Sequence, residues 1–261
     1  LGLIQIGGIG FMTIAILVMV LTKRKIHLSQ RSLMQNSISA PQIGGIVRMT
    51  KFIALGTLLI EVIGAVLLSF DFIPRFGIGR GIYFALFHSV SAFCNGGFDL
   101  MGGVTGEFSS LTGMTGNWYV CVVIMLLIFV GGLGFFVWHD LLAQKFRFRR
   151  LKLQSKMVLT ISVGLVIAGA LVMALLEWNQ AAYAGLSPGE KINAALFQSV
   201  SVRTAGFNTV DLAAMSEGGI FVMICLMFIG GSTGSTAGGI KTTTFWILCI
   251  SIFVTFRRKK N

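Results

Sequence analysis

The chain has 261 residues, 55% of them hydrophobic and 11% charged, with 21 Lys and Arg against nine Asp and Glu, and its mean hydropathy is +0.85. A soluble domain carries about 25% charged residues, so this composition excludes a soluble globular class and points to an integral membrane protein. The net charge of +12 does not mark a nucleic-acid surface, because 16 of the 21 basic residues sit in three short segments at every second turn of the chain: Lys23 to Lys51, Lys145 to Lys156, and Arg257 to Lys260. That alternation is the positive-inside signature of a multi-pass protein.

Hydropathy gives five spans, at about 1–22, 52–73, 116–138, 156–177 and 217–256, each long enough for a hydrocarbon core of about 30 Å. With the basic loops in the cytoplasm, residue 1 lies outside and the five spans alternate consistently, ending inside. The chain opens within an apolar stretch and without an initiator Met, as a piece of a longer chain would. The intervals 23–51 and 139–155 read as cytoplasmic linkers, and 257–261 as a cytoplasmic basic tail.

Two apolar segments are too short to cross, 81–93 (GIYFALFHSVSAF) and 191–203 (KINAALFQSVSVR). Segments of this length are commonly re-entrant, and irregular backbone at membrane depth is tolerated only inside protein or against water. The two align without a gap at an offset of 110, with eight identities over 81–98 and 191–208: Ile82/Ile192, Ala85/Ala195, Leu86/Leu196, Phe87/Phe197, Ser89/Ser199, Val90/Val200, Ser91/Ser201 and Gly96/Gly206. The repeating unit is span, pore loop, span. Residues 52–138 and 156–256 are two such units, and 1–22 reads as the last span of a preceding one. A Gly-Gly-Ile/Leu motif recurs at Gly7-Gly8-Ile9, Gly131-Gly132-Leu133 and Gly238-Gly239-Ile240, and close helix packing is the expected role of the first two, which continue into Gly10 and Gly134.

A Gly-containing turn follows each short helix: Cys94-Asn95-Gly96-Gly97-Phe98 and Thr204-Ala205-Gly206-Phe207-Asn208. A cation in a bilayer must exchange its hydration shell for other oxygens, and backbone carbonyls do this in potassium filters. Gly permits the dihedrals that turn successive carbonyls to one side, and the C-terminus of the preceding helix aims its negative dipole end at the ion. The candidate filter is therefore Cys94, Asn95 and Gly96 with Thr204, Ala205 and Gly206, holding K+ through main-chain oxygens. The fifth span is too long for one straight helix at 1.5 Å per residue. Its middle runs Gly230, Gly231, Ser232, Thr233, Gly234, Ser235, Thr236, Ala237, Gly238, Gly239, Ile240, Lys241, and glycine costs a helix about 1 kcal/mol per residue. A break is expected there, facing the pore and placed to gate it. Lys241 reads either as a charge opposing cation passage or as a snorkelling anchor.

Other features are less decisive. Glu61 is costly in lipid and should face the bundle interior, and Arg203 suits a buried hydrogen-bond or ion-pair role. Asp71, Asp99, Glu107, Glu177, Glu190, Asp211 and Glu217 lie toward the outer ends of spans, which fits an acidic vestibule or simple solvation. His27, His88 and His139 are isolated and the four cysteines lack metal-ligand spacing. No paired acids or nucleophile–base constellation marks an enzyme. A secondary transporter would be expected to show inverted repeats, whereas both units here run in the same direction; a non-conducting membrane scaffold is the remaining alternative.

Ser91-Ala92-Phe93-Cys94-Asn95-Gly96-Gly97-Phe98-Asp99 resembles the second filter loop of the Ktr/Trk/HKT potassium transporters, and Arg203-Thr204-Ala205-Gly206-Phe207-Asn208-Thr209 the third, in its KtrB-type form. Gly230 to Lys241 resembles that family's intramembrane gating loop, and Gln5 to Phe11 the end of its first repeat. Many relatives have Asn-Asn-Ala-Gly-Phe where this chain has Cys94-Asn95-Gly96-Gly97-Phe98. The resemblance implies an all-α integral membrane protein of repeated span–pore-loop–span units and potassium-channel-like architecture, with its last span broken by the Gly-rich loop. It implies potassium uptake across a bacterial plasma membrane, often sodium-assisted, with no cofactor beyond the transported ions. It also implies a homodimer in lipid on a KtrA-like cytosolic nucleotide-binding regulatory subunit, and no nucleic-acid partner. The family's first filter loop would precede Leu1 and its fourth repeat would follow Asn261, so this stretch supplies two filter loops of four and would not conduct alone.

Overall fold

A computed structural model describes residues 1–9 and 46–258; most of the expected first span, most of the first linker and the last three residues lie outside them. The described chain is helical, and its only β feature is an isolated parallel bridge between Ile229 and Ile240. After α1 (Gly2–Ile9), α2 (Ile46–Phe76) is the first long span. It begins six residues before the expected 52, so Arg48 and Lys51 lie in its first turns rather than in a linker. The buried residues of α2 form one stripe, Ile53, Thr57, Glu61, Leu68 and Phe72, while Leu55, Leu59, Val62, Ile63 and Val66 are exposed. This is an apolar helix whose polar groups face protein and whose aliphatic groups face outward, the arrangement a lipid solvent selects.

Gly77, at φ 81, ends α2 and turns the chain back into α3 (Ile78–Phe93), the first short helix. A methyl group on Gly81 would overlap the backbone at Phe72 and Ile73, so glycine there lets the two helices run in contact. The expected third span is two helices, α4 (Trp118–Leu133) and α5 (Phe135–Ala143), meeting at 93°. The bend falls on Gly134, at φ 90. Next, α6 (Leu153–Glu177) is the second helix long and apolar enough to cross on its own. The second short helix, α7 (Pro188–Ser201), starts at a complete capping box: Ser187 accepts from the Glu190 amide, Glu190 returns the bond to the Ser187 amide, and Pro188 occupies the first turn. The fifth span is broken as expected, into α8 (Glu217–Phe228) and α9 (Thr242–Arg258).

Each short helix is pinned to the span before it in the same way. Ser89 donates its hydroxyl to the Glu61 carbonyl at 2.7 Å, and Ser199 donates to the Val166 carbonyl at 2.8 Å. Three residues beyond each accepting carbonyl stands a glycine, Gly64 or Gly169, where any side chain would overlap that serine. The Ser-on-carbonyl contact thus recurs at the sequence repeat. The larger core lies among α2, α3 and α4 and takes in Phe197 and Phe207 from the second unit; a smaller one holds Met173, Tyr183 and Ala194.

Candidate pore-loop site

The two glycine turns lie against each other. A methyl group on Gly97 would fall on the Ala205 carbonyl oxygen and 3.3 Å from the Gly206 Cα. Both turns leave their helices through similar bonds: the Gly96 amide donates to the Ser91 carbonyl at 2.8 Å and the Gly206 amide to the Ser201 carbonyl at 3.0 Å. Below that level the loops differ. Gly206 is left-handed, at φ 93, but in the first turn the left-handed residues are Asn95 (φ 53) and Gly97 (φ 69), while Gly96 is not. Gly97 is therefore a site residue that the ungapped alignment passed over. The Gly-Phe pairs Gly97-Phe98 and Gly206-Phe207, offset by 109, were the signal for it.

Ser201 donates its hydroxyl to the Phe207 carbonyl at 2.6 Å, which fixes the second turn from inside. Above the turns, the Leu111 amide donates to the Asn208 carbonyl at 2.9 Å and the Asn208 amide to the Ser110 hydroxyl at 3.1 Å. His88 is fully buried behind the turns. Its Nδ1 pairs with the Phe84 carbonyl at 2.7 Å, its Nε2 accepts the Leu100 amide at 3.4 Å, and its ring stacks on Phe207 at 6.5 Å. That accounts for His88 as a packing strut between the repeats.

Cys94 is buried, with Sγ 3.6 Å from a Glu61 carboxylate oxygen and 3.8 Å from the Gln5 amide oxygen. The Gln5 amide nitrogen donates to Glu61 at 2.9 Å. Glu61 thus faces the protein interior, directly behind the first turn. A cleft of about 300 Å³ opens beside it, lined by Leu3, Ile4, Gly7 and Gly8 of α1 with Cys94, Gly96, Phe98 and Thr236.

The Gly230–Lys241 segment is a folded loop seated in the elbow between α4 and α5. The break at Gly134 deprives the last α4 carbonyls of intrahelical partners, and each finds another. The Trp138 indole donates to the Val130 carbonyl at 2.9 Å, the Thr236 amide to Gly131 at 3.3 Å, the Ser232 amide to Gly132 at 3.0 Å, and the Ser232 hydroxyl to Leu133. In return the Phe135 amide, at the start of α5, donates to the Gly234 carbonyl at 2.7 Å. Gly131-Gly132-Leu133-Gly134, expected as a helix-packing patch, forms this seat. The loop closes on itself where the Gly230 amide meets the Ile240 carbonyl at 3.1 Å and the Gly231 amide the Gly238 carbonyl at 3.3 Å.

Arg203 is buried and donates to the carbonyls of Ile229 (3.4 Å) and Gly230 (3.0 Å), at the point where α8 gives way to the loop. It makes no ion pair among the described residues, so its role is the hydrogen-bonded one. The Lys241 ammonium donates to the Ala237 carbonyl at 2.8 Å within the loop. The Thr233 and Thr243 hydroxyls lie 3.2 Å apart.

Several of the outer acids have local work. Asp71 pairs with Arg75 at 2.8 Å and accepts from Asn117, and Asp99 and Asp211 cap the amides of Met101 and Ala213. Glu177, fully buried, accepts the amide and hydroxyl of Ser216. The Ser187 bonds hold the exposed Glu190 carboxyl below its ordinary value. These contacts favour turn and cap chemistry over an acidic vestibule. The site thus brings the two glycine turns into contact, with the Gly-rich loop bonded to the first of them at Thr236.

Among known proteins, the chain is 40% identical to the potassium/sodium uptake protein NtpJ of Enterococcus hirae, over 98% of its own length and 55% of that protein's. It is 39% identical to the Ktr system potassium uptake protein B of Bacillus subtilis, over 100% of this chain and 57% of that one. The chain thus spans little more than half the length of these relatives. Among solved structures, the potassium transporter TrkH from Vibrio parahaemolyticus shares the fold, with a TM-score of 0.70 at 20% identity over 98% of this chain and 48% of that chain. The chain has the all-α, pore-loop architecture of a multi-pass plasma-membrane protein, and because the family model described as TrkH, cation transport protein, matches residues 2–261, it belongs to that family.

Proposed function

We propose that this chain supplies two filter loops and the gate of a potassium-uptake pore, with main-chain oxygens of 94–97 and 204–206 replacing the ion's hydration shell. The observation that carries this reading is the contact of the two turns at Gly97 and Ala205, each at the C-terminal end of a short helix, where dipole and carbonyls act together. On this reading 52–138 and 156–256 are successive repeats, 1–22 closes the preceding one, 23–51, 139–155 and 257–261 are cytoplasmic, and Gly230–Lys241 obstructs the path below the filter. The equivalent Ser89 and Ser199 contacts support the repeat division.

We further propose sodium assistance, for which the name of the potassium/sodium uptake relative is the support, and, as the family resemblance implies, a homodimer on a cytosolic nucleotide-binding regulatory subunit, with a transport rather than enzymatic role. The test is potassium uptake by the complete gene product in cells lacking their own uptake systems, with intact Gly206 against Gly206→Ser. Growth on low potassium that the substitution abolishes supports the filter; unchanged affinity and selectivity in Gly206→Ser refutes it.

A further inference from the structure

Asn95 stands where three separate segments converge. Its amide oxygen accepts the Thr204 hydroxyl at 2.9 Å, across to the second turn. Its amide nitrogen donates to the Thr236 hydroxyl of the Gly-rich loop at 2.8 Å, with a longer contact to the Phe93 carbonyl at 3.4 Å. Thr236 in turn donates its hydroxyl to the Phe93 carbonyl at 2.9 Å. Phe93 is the last residue of α3, so a group at the negative end of the helix dipole is occupied by the loop. Both ends of one side chain are in use, and Asn at φ 53 is among the few residues that hold this backbone without glycine. Gly131 leaves room for the arrangement, since a methyl group there would lie 2.9 Å from the Thr236 hydroxyl and 3.1 Å from the Asn95 amide nitrogen.

We propose that Asn95 is the positioning residue that couples the Gly-rich loop to the filter, a role that rests on the potassium-pore reading above. One arm holds the two filter turns in register, and the other holds the loop in its seat. When the loop leaves, Thr236 releases both Asn95 and the Phe93 carbonyl, so docking of the loop and geometry of the filter change together. Neither Asn95 nor Thr236 is used here for its main-chain oxygen; the coupling runs through their side chains.

The experiment measures initial rates of potassium uptake by the complete gene product, normalised to protein in the membrane. Thr236→Val keeps the side-chain shape and removes the hydroxyl, and with it two hydrogen bonds; it should raise Vmax at least about fivefold, the worth of one of them, and Thr236→Ser should return it to the wild-type value. Thr204→Val cuts the other arm and should raise KM about fivefold, the worth of one hydrogen bond. Asn95→Gly accepts the same φ, removes both arms and should show both effects, with a smaller rise in Vmax when Thr236→Val is added than that substitution gives in the wild type, because only the Thr236 bond to the Phe93 carbonyl is then left to lose. An unchanged Vmax in Thr236→Val, or additive effects in the double variant, overturns the coupling while leaving potassium uptake by the wild type intact. A wild-type protein that takes up no potassium overturns the pore reading beneath it. Thr236→Ala carries the same expectation, and failure of both hydroxyl-free variants to reach the membrane would make Thr236 a folding residue and overturn the proposal.

Discussion

The glycines of the two turns can be separated by experiment, because the structure gives each a different reason to be glycine. Gly206 is left-handed at φ 93, and no atom of the described residues lies within 4 Å of where its Cβ would be. Gly206→Ala therefore tests dihedral strain alone, at about 1–3 kcal/mol, or about 5- to 150-fold in KM if ion binding bears all of it. Gly97→Ala adds a collision with the Ala205 carbonyl oxygen to a φ of 69; the carbonyl is a proposed ligand and cannot yield without leaving its place, so uptake should be lost. Gly96 has neither strain nor a rigid neighbour, and its nearest contact would be a methyl of Ile4 at 3.2 Å. Gly96→Ala should shift KM by less than about fivefold, within the cost of a modest repacking. The assay is potassium uptake against concentration, with sodium as competitor. If Gly96→Ala proves as damaging as Gly206→Ala, or Gly206→Ala is silent, the assignment of Gly97 and Gly206 as the shape-determining pair is wrong.

Three further outcomes follow. Gly134→Ala places a side chain at φ 90 and 2.8 Å from the Thr233 carbonyl, so it should unseat the Gly-rich loop and raise uptake while lowering thermal stability by about 1–3 kcal/mol; Gly132→Ala, with open space around its Cβ, is the internal control and should do neither. Glu177→Ala leaves the Ser216 amide and hydroxyl without their buried acceptor, and thermal unfolding in detergent should show a loss of about 2–3 kcal/mol. Glu190 has a folded value below its ordinary 4.5, so the stability it adds is present above that ordinary value and is lost as pH falls through the lower folded one. Glu190→Gln, which keeps the capping box, should remove that component when melting curves at neutral and acid pH are compared.

What the sequence disclosed was whatever depends on composition and periodicity. Long apolar helices at Ile46–Phe76 and Leu153–Glu177, two short apolar helices and a broken last span follow from apolar length, since lipid leaves the backbone few alternatives, while most of the first expected span lies outside the described residues. The two glycine turns were visible because their repeat is ungapped through the helix. The shift from Gly96 to Gly97 was hidden because it depends on how the chain leaves the helix: Asn95 takes up one left-handed position, and the second falls one residue later. The elbow at Gly134 was hidden for a related reason. Gly131 to Gly134 reads equally as a close-packing patch, and only the carbonyl acceptors left by the bend show that it is a seat. Neither Thr236 nor Asn95 carries a local pattern that predicts their bond, because they are 141 residues apart.

The seat also constrains how the Gly-rich loop can move. At this depth no lipid group can replace a lost hydrogen bond. Withdrawing the loop in a dry environment would leave the carbonyls of Gly131, Gly132 and Leu133 and the amide of Phe135 without their partners. At about 1–3 kcal/mol for each unsatisfied group, that alone approaches the whole stability of an ordinary domain. The same groups in contact with water cost little, because each exchanges one partner for another. On the proposed gating role, loop withdrawal would therefore have to coincide with water entering the elbow. An apolar side chain at Ser232 or Thr236 would remove donors from the docked loop and also make the vacated seat harder to wet. The two effects oppose each other, which is why Thr236→Val is expected to raise flux by the worth of at least one of its two hydrogen bonds and not to abolish closure.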